Sequence, residues 1–426
     1  MNKVLLLKGG LLLAMLILVA CNNDDSGNMD EDDVVVMMPS TRSILLTNEQ
    51  RDFVSKNNDF SIKLFKTINQ QAEESKSAIL SPISVTYVMG MLNDGADGTT
   101  AKEITSVLGF GDGESSAVND LCKKLIEEAP EVDESVTLKI ANLVATQNGI
   151  LLEDQFKEDL YNFYLAETAS LDFSSPNATN TINDWCNRQT SGMIPEITDE
   201  LALRNAVLAL VNAVYFKATW TRKFDTKKTK DETFTREDGS KVKFPMMNQQ
   251  VYAEYKNTGK YSVLRLPYGN SNMWSMYILL PNEGNTVNDI INQLSYDSWR
   301  TEYNTLKGSI VDVKVPRFKT ESKYNLIPTI SAMGAPTMFT NKADFTKISS
   351  NHKGLYVSSF IQKAAVEVNE EGTKAAAVTL ATMSDSAAGL TPQYDNVDFH
   401  CDRPFIYLIQ ESSSGAIFFI GTFRGE

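Results

Sequence analysis

The sequence predicts an α+β fold. Apolar residues at helical spacing dominate its first half, strands and turns dominate its second, and no internal repeat joins the two. Residues 47–71 carry Phe53, Phe60, Leu64, Phe65 and Ile68 on one helical face. A second helix starts with Ser81 as N-cap and Pro82 at its first position, and its apolar run extends from Val85 to Leu92. Thr100 to Glu103 reads as a capping box for a third helix, which Gly109 closes. Residues 138–146 read as a strand, 154–167 as a helix, 169–173 as a short strand, and 179–190 as a helix carrying Trp185. The apolar run from Ala206 to Phe216 holds a single asparagine, Asn212, and suits a central strand buried on both faces. A buried Asn212 must find partners for its amide. Turns at Asp238-Gly239 and Gly269-Asn270, a strand over 274–280, a helix near 326–333 and a strand over 361–368 follow. The chain ends in a hairpin of residues 405–410 and 416–423, turning at Ser412 to Gly415.

The composition sets further bounds. The chain has 426 residues, 42% of them hydrophobic and 22% charged, enough for one large core. A formal charge of −14 argues against a nucleic-acid partner, which calls for a basic face. Lys3 and Lys8 precede an unbroken apolar run from Leu11 to Val19 that is short for a bilayer span. It ends in Leu18-Val19-Ala20-Cys21, which resembles a bacterial lipobox, in which the peptidase cuts before the cysteine and the thiol carries a diacylglycerol. Residues 1–20 are therefore expected to be a lipoprotein signal peptide, and Cys21 the membrane anchor of a cell-envelope protein, on the outer membrane or the cell surface. Residues 21–43, acidic from Asp24 to Asp33 and with Pro39, read as a flexible tether before a domain over 44–426. With Cys21 lipidated, Cys122, Cys186 and Cys401 remain; three thiols imply no disulfide framework and read as small buried hydrophobes.

The chemistry scan excludes most enzymes. Histidine occurs only at His352 and His400, and there is no HExxH, no GxSxG and no GxxxxGK[ST]. His400 and Cys401 are adjacent, but neighbouring residues in a strand point to opposite faces, so they do not form a nucleophile pair. Two distant histidines are too few for a metal site, so neither metal nor cofactor is expected. The remaining informative segment begins at Glu370. It follows the apolar strand Ala364 to Val368, contains one glycine and then Thr373 and alanines, and lacks proline until Pro392. Residues 381–396 are small, polar and turn-prone, so a long loop is expected, and such loops are functional or disordered. Extended, Thr373, Ala375, Ala377 and Thr379 share one small, uncharged face, while Lys374, Ala376, Val378 and Leu380 take the other. The segment could therefore become a sheet strand with Lys374 reaching solvent.

Several ordered motifs carry a family resemblance. Phe399 to Ile409 resembles the C-terminal signature of the serpins. Ser81-Pro82-Ile83-Ser84-Val85 resembles the helix beneath their main sheet, and Asn93 to Thr100 the glycine-rich link after it. Asn212 to Trp220 is similar to their central strand, whose tryptophan lies near the point of loop insertion. The match runs in order over residues 48–424. It implies a suicide-substrate inhibitor of serine or cysteine proteases, not an enzyme. A protease attacks the exposed loop at about 370–398 and is trapped as an acyl-enzyme when the cut loop enters the main sheet. Glu370, Glu371, Gly372, Thr373, Ala375, Ala376 and Ala377 would form the hinge, and Ser81, Ser84, Asn212, Trp220 and Gln362 the region where the sheet opens. Gln362 stands where serpins often carry a histidine, so a Ser81/Ser84–Asn212–Gln362 network is expected.

Counting Glu370 as first, the usual seventeenth position is Ser386, with Ala387 after the cut; Met383, Ala388 and Leu390 stay open because the loop is long. No lysine or arginine lies between Lys374 and Arg403, which points to elastase-like or chymotrypsin-like targets rather than trypsin-like ones. The alternative is a non-inhibitory serpin acting as a binding or structural envelope lipoprotein. A monomer is expected, with the target protease and the membrane as its partners.

Overall fold

A computed structural model describes residues 42–71, 75–111, 114–204, 206–352, 354–373 and 394–426. The expectations for Cys21, the tether, and the loop from Lys374 through Ala375, Ala376, Ala377, Met383, Ser386, Ala387, Ala388 and Leu390 lie outside them.

Helices cluster first, at Asn48–Gln71, Pro82–Gly95, Gly98–Leu108, Ser115–Glu128, Asp154–Tyr164 and Pro176–Gln189. The helix Pro82–Gly95 is buried on almost every side, as a helix at the centre of a domain must be. Ser81 precedes it but makes no side-chain cap; its hydroxyl is sealed from solvent without a partner. The capping box expected at Thr100 is absent. Asp97 caps the helix instead, accepting from the Gly98 N–H, so Thr100 falls inside the first turn and its hydroxyl accepts from the Asp344 N–H. Glu103 turns outward to accept from Thr337. Gly109 ends the helix in the left-handed region, at φ 84°.

Among the described residues the strands form three sheets. The largest runs Ala78–Leu80, Ile417–Phe423, Phe405–Glu411, Trp274–Pro281, Tyr261–Tyr268, Lys241–Asn257, Lys307–Pro316 and Asn396–His400, with Lys230–Thr235 added beside Lys241–Asn257. The C-terminal hairpin takes the second and third places in this order and is buried along its whole length. Each large apolar side chain so buried contributes about 1.5–3 kcal/mol. Phe399 packs inward while His400 stays part-exposed and Cys401 is fully buried, so His400 and Cys401 diverge. Cys122, Cys186 and Cys401 are free and buried.

The two other sheets hold the site. In one, Leu208–Thr219 pairs antiparallel with Val136–Gln147, which pairs with Glu167–Leu171. In the other, Phe318–Asn325 pairs antiparallel with Ile361–Val368.

Candidate functional site

The strands Leu208–Thr219 and Ile361–Val368 lie side by side without being joined. Among the described residues, the first uses one edge for Val136–Gln147 and its other edge at Ala218 and Thr219 alone. The second uses one edge for Phe318–Asn325, and no other described strand pairs with it. Both strands border the same gap. A hollow on one side is lined by Leu208, Leu210, Ser359 and Phe360, and one on the other by Ala209, Val211, Ser359 and Ile361. Two neighbouring strand edges whose hydrogen-bonding groups are unpaired among the described residues form a template for one more strand.

The chain crosses the top of this seam by a tight turn. Asn369 and Gly372 exchange both backbone hydrogen bonds, each at 3.0 Å, and Gly372 has φ 125°. A Cβ at Gly372 would lie 2.4 Å from the Ala218 carbonyl oxygen, so only glycine fits. The turn reverses the chain, and Gly372–Thr373 then runs antiparallel to the central strand, Gly372 opposite Thr219 and Thr373 opposite Ala218. The two residues start a strand inside the seam.

Glu370 and Glu371 fasten the turn. The Trp220 N–H donates to the Glu371 carbonyl at 2.9 Å and the Phe224 N–H to the Glu370 carbonyl at 3.0 Å. The Trp220 indole donates to the Asn369 carbonyl at 2.9 Å and stacks on Tyr268 with ring centroids 4.3 Å apart. The Glu370 carboxylate, 4% exposed, accepts from Arg317 Nη2 at 2.5 Å, from Arg317 Nε at 3.1 Å and from Thr229 at 2.7 Å. Burial pushes that carboxyl up, but the Arg317 and Thr229 bonds outweigh it and hold it below its ordinary value. Lys223 pairs with Glu371 at 2.7 Å. Arg317 and Thr229 are far from Glu370 in sequence and escaped the sequence reading; only the buried glutamate's need for a counter-charge could have signalled them.

Lower in the seam, Ser84 donates to Asn212 Oδ1. Asn212 Nδ2 donates not to Gln362 but to Asn142 Oδ1 at 2.7 Å, because Asn142 lies directly opposite in the antiparallel register. Gln362 instead donates to the Ser81 carbonyl at 2.6 Å, leaving its own Oε1 sealed without a partner. The expected four-residue network is therefore two separate pairs, one on each side of the gap. Asn142 extends the first through the Tyr164 carbonyl at 2.7 Å; the Tyr164 hydroxyl reaches Asn119, and Asn119 reaches Asp94, both at 2.8 Å. At the far end of the loop, the strand Asn396–His400 begins before residue 398, so the loop is shorter there than expected.

Comparison with known proteins gives the family. The family model for Serpin (serine protease inhibitor) matches residues 55–425. Neuroserpin of Gallus gallus is 31% identical over 377 residues, covering 85% of this chain and 89% of its own length. Serpin-Z3 of Arabidopsis thaliana is 32% identical over 370 residues, covering 84% and 93%. Among solved structures, the thermophilic serpin tengpin in its native state superposes with a TM-score of 0.79 at 27% identity, covering 91% of this chain and 96% of its own. Thyroxine-binding globulin in complex with thyroxine gives 0.78 at 27% identity, covering 88% and 99%. The chain belongs to the serpin family. Its members are in general protease inhibitors rather than enzymes, acting on target proteases.

Proposed function

We propose that this serpin is inhibitory and traps its protease by drawing a cut loop into the seam. The observation that carries the reading is the edge of Leu208–Thr219, unpaired along most of its length among the described residues, with Gly372–Thr373 already paired at its upper end. Continuing that register sets Ala375 against Phe216, Ala377 against Val214 and Thr379 against Asn212, so the small residues meet the main core. On the other face Lys374 meets Lys217 and Val378 meets Ala213. Ala213 packs with Ile182 and Cys186 of the helix Pro176–Gln189, so Val378 would slide beneath that helix rather than face solvent.

The chemistry follows from the bait. A protease nucleophile attacks the scissile carbonyl, and the nitrogen side departs, leaving an ester or thioester to the loop. Insertion then carries that bond toward the far end of the seam. From Gly372 to Ser386 is fourteen residues, on the order of 45 Å of strand. New ladder hydrogen bonds and buried area favour the move, and distorting the protease's oxyanion hole stalls hydrolysis. Cutting at Ser386-Ala387, or at Met383, Ala388 or Leu390, suits a pocket for small or medium apolar residues, hence elastase-like or chymotrypsin-like targets. Neutrophil or pancreatic elastase mixed with the full chain should give an SDS-stable complex. Complete cleavage without such a complex by elastases and chymotrypsin alike would sink the inhibitory reading and favour a binding or structural serpin.

Anchoring belongs to the same reading. Cys21 carries the lipid and holds the protein at the cell envelope, a reading supported by the lipobox resemblance. Metabolic labelling with a radioactive fatty acid should mark the wild type and leave Cys21→Ser unlabelled; equal labelling would refute it.

A further inference from the structure

Outside the seam, Asp312, Asp398 and His400 bring their ligand atoms within 4.8 Å of one another. The parallel strands Lys307–Pro316 and Asn396–His400 create this juxtaposition. Asp398 lies directly opposite Asp312, and His400, two residues on, shares its face. His400 Nε2 stands 3.2 Å from Asp312 Oδ2. That contact is a hydrogen bond here, and its length is also compatible with the ligand–ligand edge, about 3.3 Å, of a tetrahedron with metal bonds near 2.0 Å.

Two further observations point to a cation here. Like charges directly opposite in a sheet repel, and in the Asp312–Asp398 pairing only Asp312 has the His400 ring as a hydrogen-bond partner, so a shared cation would serve both carboxylates. The neighbouring cation on that face, Lys314, opposite His400, gives its ammonium to Glu232 at 2.9 and 3.1 Å. All three groups are accessible: His400 and Asp312 are 33% and 39% exposed at the side chain, and Asp398 is exposed. Gln250, opposite Asp312 in Lys241–Asn257, is placed on the same face. Cys401 is fully buried with its thiol pushed up by burial, so it does not compete as a ligand.

We propose that Asp312, Asp398 and His400 form a binding site for one divalent transition-metal ion of the zinc type. One imidazole with two carboxylates suits zinc or cobalt and not magnesium, which prefers oxygen ligands alone and dehydrates reluctantly. The ion ties the strand Asn396–His400 to Lys307–Pro316, at the distal foot of the loop. The site stands independently of the inhibitory reading; only a consequence for inhibition would rest on it.

The test is calorimetric titration of the full chain with ZnCl₂ in a non-chelating buffer containing excess MgCl₂. One ion per chain is expected. His400→Gln and Asp398→Asn should each weaken binding roughly tenfold or more, and His352→Gln should leave it unchanged. Cobalt should produce visible d–d bands that His400→Gln abolishes. Zinc should also slow amide exchange of Val397 and Phe399. Absence of saturable one-to-one binding, unaltered affinity in both site variants, or binding without slowed exchange would overturn the proposal.

Discussion

Replacing Arg317 with methionine isolates the fastening of the seam. The change leaves the Glu370 carboxylate with Thr229 and its own backbone N–H. Breaking a fully buried ion pair costs about 3–5 kcal/mol. Arg317 is 48% exposed, so water compensates part of the loss, and about 2 kcal/mol is the appropriate figure. If that falls on the local opening of the turn, the open population rises roughly 30-fold. The assay is native-state amide exchange. The Trp220 and Phe224 amides, which donate to Glu371 and Glu370, should exchange about 30-fold faster, while Leu279 in the large sheet should not change. The sign with pH is fixed by the depressed Glu370 carboxyl. Its contribution is present above the ordinary value of 4.5 and fades as pH falls through the lower folded value. Below it, variant and wild type should exchange alike. Equal acceleration at Leu279, or none at Trp220, would refute the idea that this pair holds the top of the seam.

Other perturbations probe the register and the polar chain behind it. Burial raises the Asp94 carboxyl to about 7, outweighing the Asn119 hydrogen bond, and its Oδ2 is sealed without a partner. The folded state keeps a proton that the unfolded chain releases above 3.8, so stability should fall as pH rises from 4 to 8, by up to about 4 kcal/mol. Asp94→Asn should remove that slope in urea unfolding; an unchanged slope would refute it. Lys217→Glu should stabilise the loop-cleaved protein by about 0.5–1 kcal/mol, because Lys374 arrives opposite it. No change in the cleaved form would mean another register. Gly372→Val should turn the protein from inhibitor to substrate, measured as the ratio of complex to cleaved chain, since its Cβ collides with the Ala218 carbonyl.

The elements that were legible in the sequence have local causes. The terminal hairpin announced itself through continuous apolar strands around Ser412 to Gly415, and Leu208–Thr219 through an apolar run too rich for a sheet edge. Gly372 was legible because a lone glycine stood at the start of a small-residue segment. The helix Ser115–Glu128 went unread: Val118, Leu121, Cys122 and Leu125 carry the spacing, but charges at Asp120, Lys123 and Lys124 interrupt it. Pairings that depend on register were not legible. Nothing local places Asn142 opposite Asn212, Arg317 beside Glu370, or Asp398 opposite Asp312. Each is a long-range consequence of how strands meet, and the Asn212 amide took the nearer partner over Gln362.

The seam account is tested most directly by melting the protein before and after a protease cuts the loop between residues 383 and 390. Insertion would complete the ladder along positions 208–217 of the central strand, so the cleaved protein should unfold at a clearly higher temperature than the intact chain. An unchanged or lower melting temperature, with the cut verified by mass spectrometry, would contradict it.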